Sequence, residues 1–263
     1  MDGYSKDYTV DELMVATIAR QLRDSDRVLN GAASPLIVTA IFLAKMTHSP
    51  NLVYVASSIG VDPQVSIIPR STLDWDLWHS NACAYISNPD EFWPFFQRGV
   101  FNTMFHKGAQ VDAYGNINGT VIGDYNLPKV RLSGGGGMAD SGAMIERVII
   151  WSTIHDKRTF VEKVDFVTCP GYLGGKDDRA RLGLKGGPES VITNLAVMDF
   201  DEDTKRMRLQ SLHPGVTLNQ VVENTGFELI IPEHISETEP PTIQQVKLLR
   251  SKIDPLERRK LEF

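Results

Sequence analysis

Cysteine is nearly absent from this 263-residue chain: Cys83 and Cys169 stand alone, outside any CxxC pair or Cys/His cluster with metal-ligand spacing. A disulfide framework and a zinc ribbon are thereby excluded, and two reduced thiols fit a cytoplasmic protein. No apolar run approaches the roughly 20 residues that span a bilayer, so no membrane association is expected. The opening MDGYSKDYTV has no basic stretch followed by an apolar core, so no secretory leader is expected either. Positive charge is in deficit, with 27 Lys and Arg against 33 Asp and Glu and a formal net charge of -6. Nucleic acid and anionic membrane are therefore poor partners. Also missing are a P-loop, a dinucleotide fingerprint at the head of a βαβ unit and a GxSxG elbow. No internal repeat is visible.

What is present is an ordinary globular composition, 42% apolar and 23% charged. Thr9 and Glu12 form a T-x-x-E capping box. Val10, Leu13, Met14, Ile18 and Leu22 then recur at helical spacing, which predicts a helix over about 10–23. RVLNGAA (27–33) reads as a short strand ending in small residues. Ser34 is placed to cap the next helix, with Pro35 at its first position. That helix, PLIVTAIFLAKM, is apolar on nearly every face and should be buried. Asn51 to Val55 is the next apolar run. Strand, helix and strand make a βαβ unit with parallel strands. Both strands then end on one edge of the sheet, where open α/β sheets bind ligands. The second ends in VYVASSIG (53–60), so Ala56 to Gly60 is a candidate site edge.

Prolines interrupt 61–100, and aromatics gather there: Trp75, Trp78, Tyr85, Phe92, Trp93, Phe95 and Phe96. They read as packing residues, and such a surplus also suits a subunit interface. Strands resume from Val100, followed by a polar loop (108–119). RVIIWSTI (147–154) and VDFVTC (164–169) are read as strands. The Gly-rich segment 170–188 is read as a long loop, functional or mobile. VITNLAVMDF and KRMRLQSL flank DEDT as a hairpin. TLNQVVENTG (217–226) predicts a short helix stopped by Gly226, and PTIQQVKLLRSKI (241–253) a closing helix. The whole reads as one α/β domain, 1–263, with a mixed, largely parallel sheet and flanking helices.

SGGGGMADSG (133–142) is the strongest local chemical signal. Four consecutive glycines let backbone N–H groups turn toward a ligand. A turn with no binding role reads equally well from the glycines alone. Lys129 and Arg131, just before them, supply positive charge suited to a phosphate or carboxylate. His106, His155 and His213 are scattered and read as packed or solvated. Asp62 and Asp124 lie in loops. Ser57 and Ser58 are candidate hydrogen-bond donors at the sheet edge. Composition and spacing thus reach an α/β protein that binds an anionic organic ligand.

Several segments together carry a resemblance: DYTVDELMVATIARQL, the buried helix after Pro35, the stretch from Val55 to Ser71, GAQVDAYGNIN, IGDYNLPKVRLSGGGG, KRTFVEKVDFVTCPGY and ENTGFEL. In that order, over nearly the whole chain, they resemble the β subunit of family I CoA-transferases, of the glutaconate CoA-transferase type. The resemblance implies a Rossmann-like CoA-transferase fold and a homologous α subunit, in a heterodimer or α2β2 heterotetramer. It also implies a CoA thioester as substrate, with no permanently bound cofactor and no metal. It assigns acyl-CoA binding to Arg131 and to Ser133, Gly134, Gly135, Gly136 and Gly137. The family's transferases carry a nucleophilic glutamate where this chain has Ala56, followed by Ser57. A methyl group can neither attack a thioester nor carry CoA. Relatives without that glutamate include ring-opening hydrolases of steroid catabolism, which use an α-subunit residue. They also include the 3-methylglutaconyl-CoA decarboxylase, in which a cysteine stands at this position. The expected activity is decarboxylation of a glutaconyl-type CoA ester. Ala56 is either native or a Cys→Ala replacement.

Overall fold

A computed structural model describes residues 3–31, 34–56, 60–64, 67–71, 83–86 and 94–263. The chain separates into two compact units: 1–105 with 239–263, and 106–238.

The first unit opens with helix α1, Val10–Arg20. The Thr9 N–H donates to the Glu12 carboxylate at 3.0 Å, the acidic half of the predicted box. The helix stops short of residue 23, because the Gln21 and Leu22 N–H groups bend back to Ile18 and Ala19. The Asp26 carboxylate then accepts the Arg23 N–H and closes the turn. Strand β1 is only Arg27–Leu29, the three residues that pair in parallel with Val53–Val55. Helix α2, Pro35–Thr47, is buried along most of its length and packs on α1. Strand β2, Val53–Ala56, completes the βαβ unit. It turns back through β3, Gly60–Val61, which pairs antiparallel with β4, Tyr85–Ile86. Strand β5, Thr103–His106, lies parallel on the other side of β1 through Thr103 and Met104. Phe95 and Phe96 pack edge-on against Phe101. The other aromatics of the 61–100 reading lie outside the described residues, apart from the backbone of Tyr85.

Ser34 was expected to cap α2, but its hydroxyl turns back to the Gly31 carbonyl. The Leu36 N–H is instead taken by the Glu262 carboxylate at 2.9 Å, from the other end of the chain. An acid at a helix N-terminus also complements the helix dipole.

In the second unit, the loop read over 108–119 is a small hairpin of β6, Gln110–Val111, and β7, Ile117–Asn118. A second hairpin, β8 Val121–Gly123 and β9 Pro128–Arg131, leads into the glycine run. Helix α3 is Met138–Met144 and β10 is Arg147–Ser152, fully buried. The four-residue helix α4, Asp178–Arg181, precedes β11, Gly187–Thr193. Strands β12, Ala196–Phe200, and β13, Met207–Leu212, form the hairpin around DEDT. Helix α5, Leu218–Asn224, has a complete Thr217/Gln220 capping box. The order β14-β13-β12-β11-β10, with β14 at Ser236–Glu237, mixes parallel and antiparallel pairs. The core of this unit gathers Val148, Ile150, Phe160, Val191, Met198 and Leu209, among others.

The closing helix α6, Ile243–Leu248, belongs to the first unit and ends in a π turn over Leu249–Ile253. The expected α/β class with a mixed sheet is therefore the one observed, with its helices alongside. One predicted strand fails. VDFVTC (164–169) forms only an isolated bridge, Cys169 to Ile117. Its N–H groups are already spent: Thr168 and Cys169 both donate to the Ile117 carbonyl, and Asp165 donates to Gln110.

Candidate functional site

Ala56 is the last residue of β2 and is fully buried. It pairs antiparallel with Gly60. Ser57 and Ser58 lie outside the described residues. Behind the hairpin, Lys45 Nζ meets Asp62 at 2.6 Å and the Leu52 carbonyl at 2.5 Å. Asp62 takes φ +54°, a conformation that L residues adopt rarely and Asp better than most. Its N–H donates to the Tyr54 carbonyl at 2.7 Å. Tyr54 itself is buried and donates its hydroxyl to Asn30 Oδ1 at 2.8 Å. A Cβ on Gly60 would stand 2.8 Å from Cys83 Sγ, so the glycine permits that approach. These contacts stiffen an edge whose central side chain is a methyl.

The glycine run lies in the second unit. Gly134 and Gly136 take φ +89° and +51°, which only glycine adopts freely. Gly135 is needed for space instead: a Cβ there would meet Thr168 Cγ2 at 2.4 Å. Thr168 is fixed in turn, since its Oγ1 accepts the Gly119 N–H at 2.9 Å and pairs with Thr120 Oγ1 at 2.7 Å. The Gly134 N–H donates to the Gly119 carbonyl. Among the described residues, no acceptor takes the N–H groups of Gly135, Gly136 or Gly137. Three successive donors beside positive-φ glycines are the kind of backbone arrangement that can take an anionic oxygen. Ser133 is exposed and precedes this turn. Arg131 is exposed as well, but its guanidinium donates to the Tyr125 carbonyl at 3.0 Å and lies over the Tyr125 ring. Part of its charge is thus directed at its own hairpin, not at the glycines.

Behind the turn, two buried side chains grip α3. His106 Nε2 meets Ser141 Oγ at 2.8 Å. Burial pushes this imidazole down to about 4, so it is neutral at pH 7. Arg179 has all its donors on backbone carbonyls: Nε on Gly186, Nη1 on Pro170 and Gly171, Nη2 on Gly142 and Lys185. One guanidinium thus ties the C-terminal half of α3 to the Gly-rich segment 170–188, which is therefore fastened. Neither residue stood out in the sequence as part of a site. The only local hint was Ser141, four residues after Gly137. His155 and His213 are buried too, joined through Thr193, and burial holds both imidazoles at about 4. Cys169, buried, is pushed up to about 12 by desolvation and is no thiolate at pH 7. No group of His, Cys, Asp and Glu among the described residues has the arrangement of a metal site.

Position 56 thus closes the βαβ unit of the first unit, and the glycine turn precedes α3 in the second. A coenzyme A transferase family model matches residues 12–224, and the chain belongs to that family. Its curated relatives include the β subunit of 3-oxoadipate CoA-transferase from Pseudomonas knackmussii, 38% identical over 93% of both chains. The β subunit of glutaconate CoA-transferase from Acidaminococcus fermentans is 37% identical, over 94% of this chain and 93% of its own. The crystal structure of that glutaconate enzyme superposes with a TM-score of 0.87, covering 97% of this chain and 98% of the other. The decarboxylase AibA/AibB superposes with a TM-score of 0.83 at 27% identity, covering 97% and 99%. A variant of that decarboxylase with one cysteine replaced by alanine is also similar, again at 27% identity. At that identity this chain is not that variant. The relatives are β subunits or members of two-subunit assemblies, and this chain is of that subunit type. No helix among the described residues is long and apolar enough to cross a membrane.

Proposed function

We propose that this chain is the β subunit of a cytoplasmic α/β complex that decarboxylates 3-methylglutaconyl-CoA to 3,3-dimethylacrylyl-CoA. One observation carries the reading. Ala56, buried at the end of β2, occupies the place where the family resemblance puts the transferase nucleophile. Formation of a glutamyl-CoA thioester there has no side chain to run on. The two units serve as one CoA-transferase-type subunit, with a homologous α subunit as partner in an αβ or α2β2 assembly. The CoA thioester is substrate, and no permanent cofactor takes part.

Loss of CO2 from the far carboxylate leaves the bonding pair in a dienolate conjugated to the thioester, with charge on the thioester oxygen. Protonation of the carbon that lost CO2, by solvent or a donor of the complex, gives 3,3-dimethylacrylyl-CoA. Backbone N–H groups of the Ser133–Gly137 turn receive that oxygen. Each well-aimed donor lowers the barrier by about 3–4 kcal/mol. Arg131, at the turn's entrance, serves the anionic part of CoA through the donors that Tyr125 leaves. A methyl at position 56 brings neither charge nor a hydrogen-bonding group to the end of β2. Ser57 is the nearest hydroxyl along the chain.

The identity to the β subunits of two transferases favours a second reading, CoA transfer through a residue of the α subunit. One experiment separates them. The α/β complex is given 3-methylglutaconyl-CoA, then glutaconyl-CoA with acetate. Release of CO2 without acetate supports decarboxylation. Acetate-dependent acetyl-CoA formation supports transfer. No CO2 above background, with Ala56→Cys tested as well, overturns the first reading.

A further inference from the structure

Helix α3 spans only seven residues and contains Ser141 and Gly142. A helix so short has little stability of its own. Its place, and that of the glycine turn before it, must come from tertiary contacts. The Ser141 hydroxyl has one proton and lies 2.9 Å from the Gly137 carbonyl, which can only accept. The same carbonyl takes the Ser141 N–H at 3.0 Å. With the hydroxyl proton on the carbonyl, the oxygen lone pair pairs with the Nε2–H tautomer of His106 at 2.8 Å. A chain of contacts results, from His106 to Ser141 to Gly137, ending on the last glycine of the turn. Both side chains are buried, so water does not compete.

We propose that His106, acting through Ser141, is a positioning residue that sets the direction of the free N–H groups of Gly135–Gly137. This rests on the reading that these groups receive the substrate's thioester oxygen. The Gly137 peptide is held at its carbonyl, so the planes of the preceding peptides are restrained with it. Without the relay, Ser141 can rotate, and the Gly137 carbonyl keeps the Ser141 N–H at 3.0 Å but loses the side-chain tether that His106 holds in place. His106 touches no reacting atom, and its effect is on geometry.

The test uses the complex with its α subunit and the variants His106→Leu, His106→Gln, Ser141→Ala and the double variant His106→Leu/Ser141→Ala. Gln offers an amide N–H near the position of Nε2. Readouts are kcat and KM for CO2 release from 3-methylglutaconyl-CoA, and amide hydrogen exchange across 133–140. His106→Leu and Ser141→Ala should each lower kcat by up to roughly 100-fold, the cost of about 1 Å of misplacement, with KM little changed. Exchange across 133–140 should quicken by about tenfold, as a local opening becomes easier. The double variant should be no worse than the weaker single one, because the two act as a unit. His106→Gln should recover most of both losses. Unchanged exchange and kcat in His106→Leu, or no recovery in His106→Gln, overturns the proposal. If the wild-type complex releases no CO2, the decarboxylase reading fails, and the exchange readout still decides the role of His106. If His106→Leu does not fold, Ser141→Ala, which removes a single oxygen, carries the same test.

Discussion

Arg259 in the first unit and Arg179 in the second are both almost fully buried, at 1% and 4% exposure, yet they are neutralised differently. Arg259 meets four carboxylates: Asp11 at 2.6 Å, Asp254 at 3.0 Å, Glu12 at 3.3 Å and the more exposed Glu257 at 3.7 Å. Arg250 adds a second cation on Glu12 at 2.7 Å. Arg179 meets carbonyls only, and its five donors are solvated by peptide dipoles. A buried ion cluster needs every charge present, because a missing partner leaves another charge in low dielectric. A carbonyl-solvated cation needs only that the chain keep its path. The contrast extends to other buried groups. The second unit holds His106, His155 and His213 neutral, whereas the first holds Glu12 ionised. Burial pushes the Glu12 carboxyl up, but hydrogen bonds from Arg250 and Thr9 outweigh this and hold it below its ordinary range. The first unit is thus tied by charges that join its two chain ends, the second by a guanidinium on backbone carbonyls and by hydrogen bonds of neutral imidazoles.

The largest effect should come from Arg259→Met, which strands Asp11 and Asp254 and removes one of the cations on Glu12. A loss of about 3–5 kcal/mol is expected, read by denaturant unfolding, with exchange rising in α1. Equal loosening in β11–β13 would break the contrast between the units.

Acid should reverse the order of failure. The folded imidazoles of His155 and His213 lie at about 4 against 6.5 unfolded. Between those values the unfolded chain binds protons that the native chain refuses, so stability falls as pH falls. The contribution is whole above pH 6.5 and lost progressively toward pH 4, at about 1.4 kcal/mol per unit of pH per histidine. Glu12, depressed below its ordinary 4.5, gives stability that persists to lower pH. Hydrogen exchange at pH 5, corrected for intrinsic rate, should therefore show 191–200 and 207–212 opening before 10–20. The opposite order would count against neutral imidazoles in the second unit.

A smaller difference separates two glycines. Gly135→Ala drives a Cβ into Thr168, which its own hydrogen bonds hold, and should cost about 1–3 kcal/mol by thermal unfolding. Among the described residues, Gly60→Ala meets the end of the Cys83 side chain, which can turn aside, and should cost less. Comparable losses would show that the hairpin of the first unit is as tightly built as the glycine turn.

Smallest of all, Thr217→Ala should remove about 1 kcal/mol by breaking the box at α5, seen as a small drop in melting temperature. That cap is local to its helix, whereas the Glu12 half of the α1 box is shared with Arg250 and Arg259. Glu12→Gln should therefore cost several times more than Thr217→Ala.

Much of this was legible in the residues themselves. The α1 box, the short helix before Gly226, the apolar α2 and the parallel strands around it follow from spacings of three to seven residues. The glycine run announced a turn with exposed donors, and the resemblance marked Ala56 as a position whose usual side chain is gone. Other features had no local signature. VDFVTC has the β-branched content of a strand, yet its N–H groups serve Ile117 and Gln110. Ser34 has the chemistry of a cap, yet Glu262, 226 residues from Leu36, does that work. His106 looked like one scattered histidine, and Arg179 like one charge in a polar loop. Periodicity and capping act within a few residues and so are written in order along the chain. A hydrogen bond across the fold depends on which distant donor and acceptor packing brings together, and no spacing encodes that. The sequence by itself therefore determined the α/β elements and the alanine at position 56, where the family resemblance puts a nucleophile. Only the tertiary structure decided that the glycine turn is held from behind, because the groups that hold it come from segments that meet only when the second unit is folded.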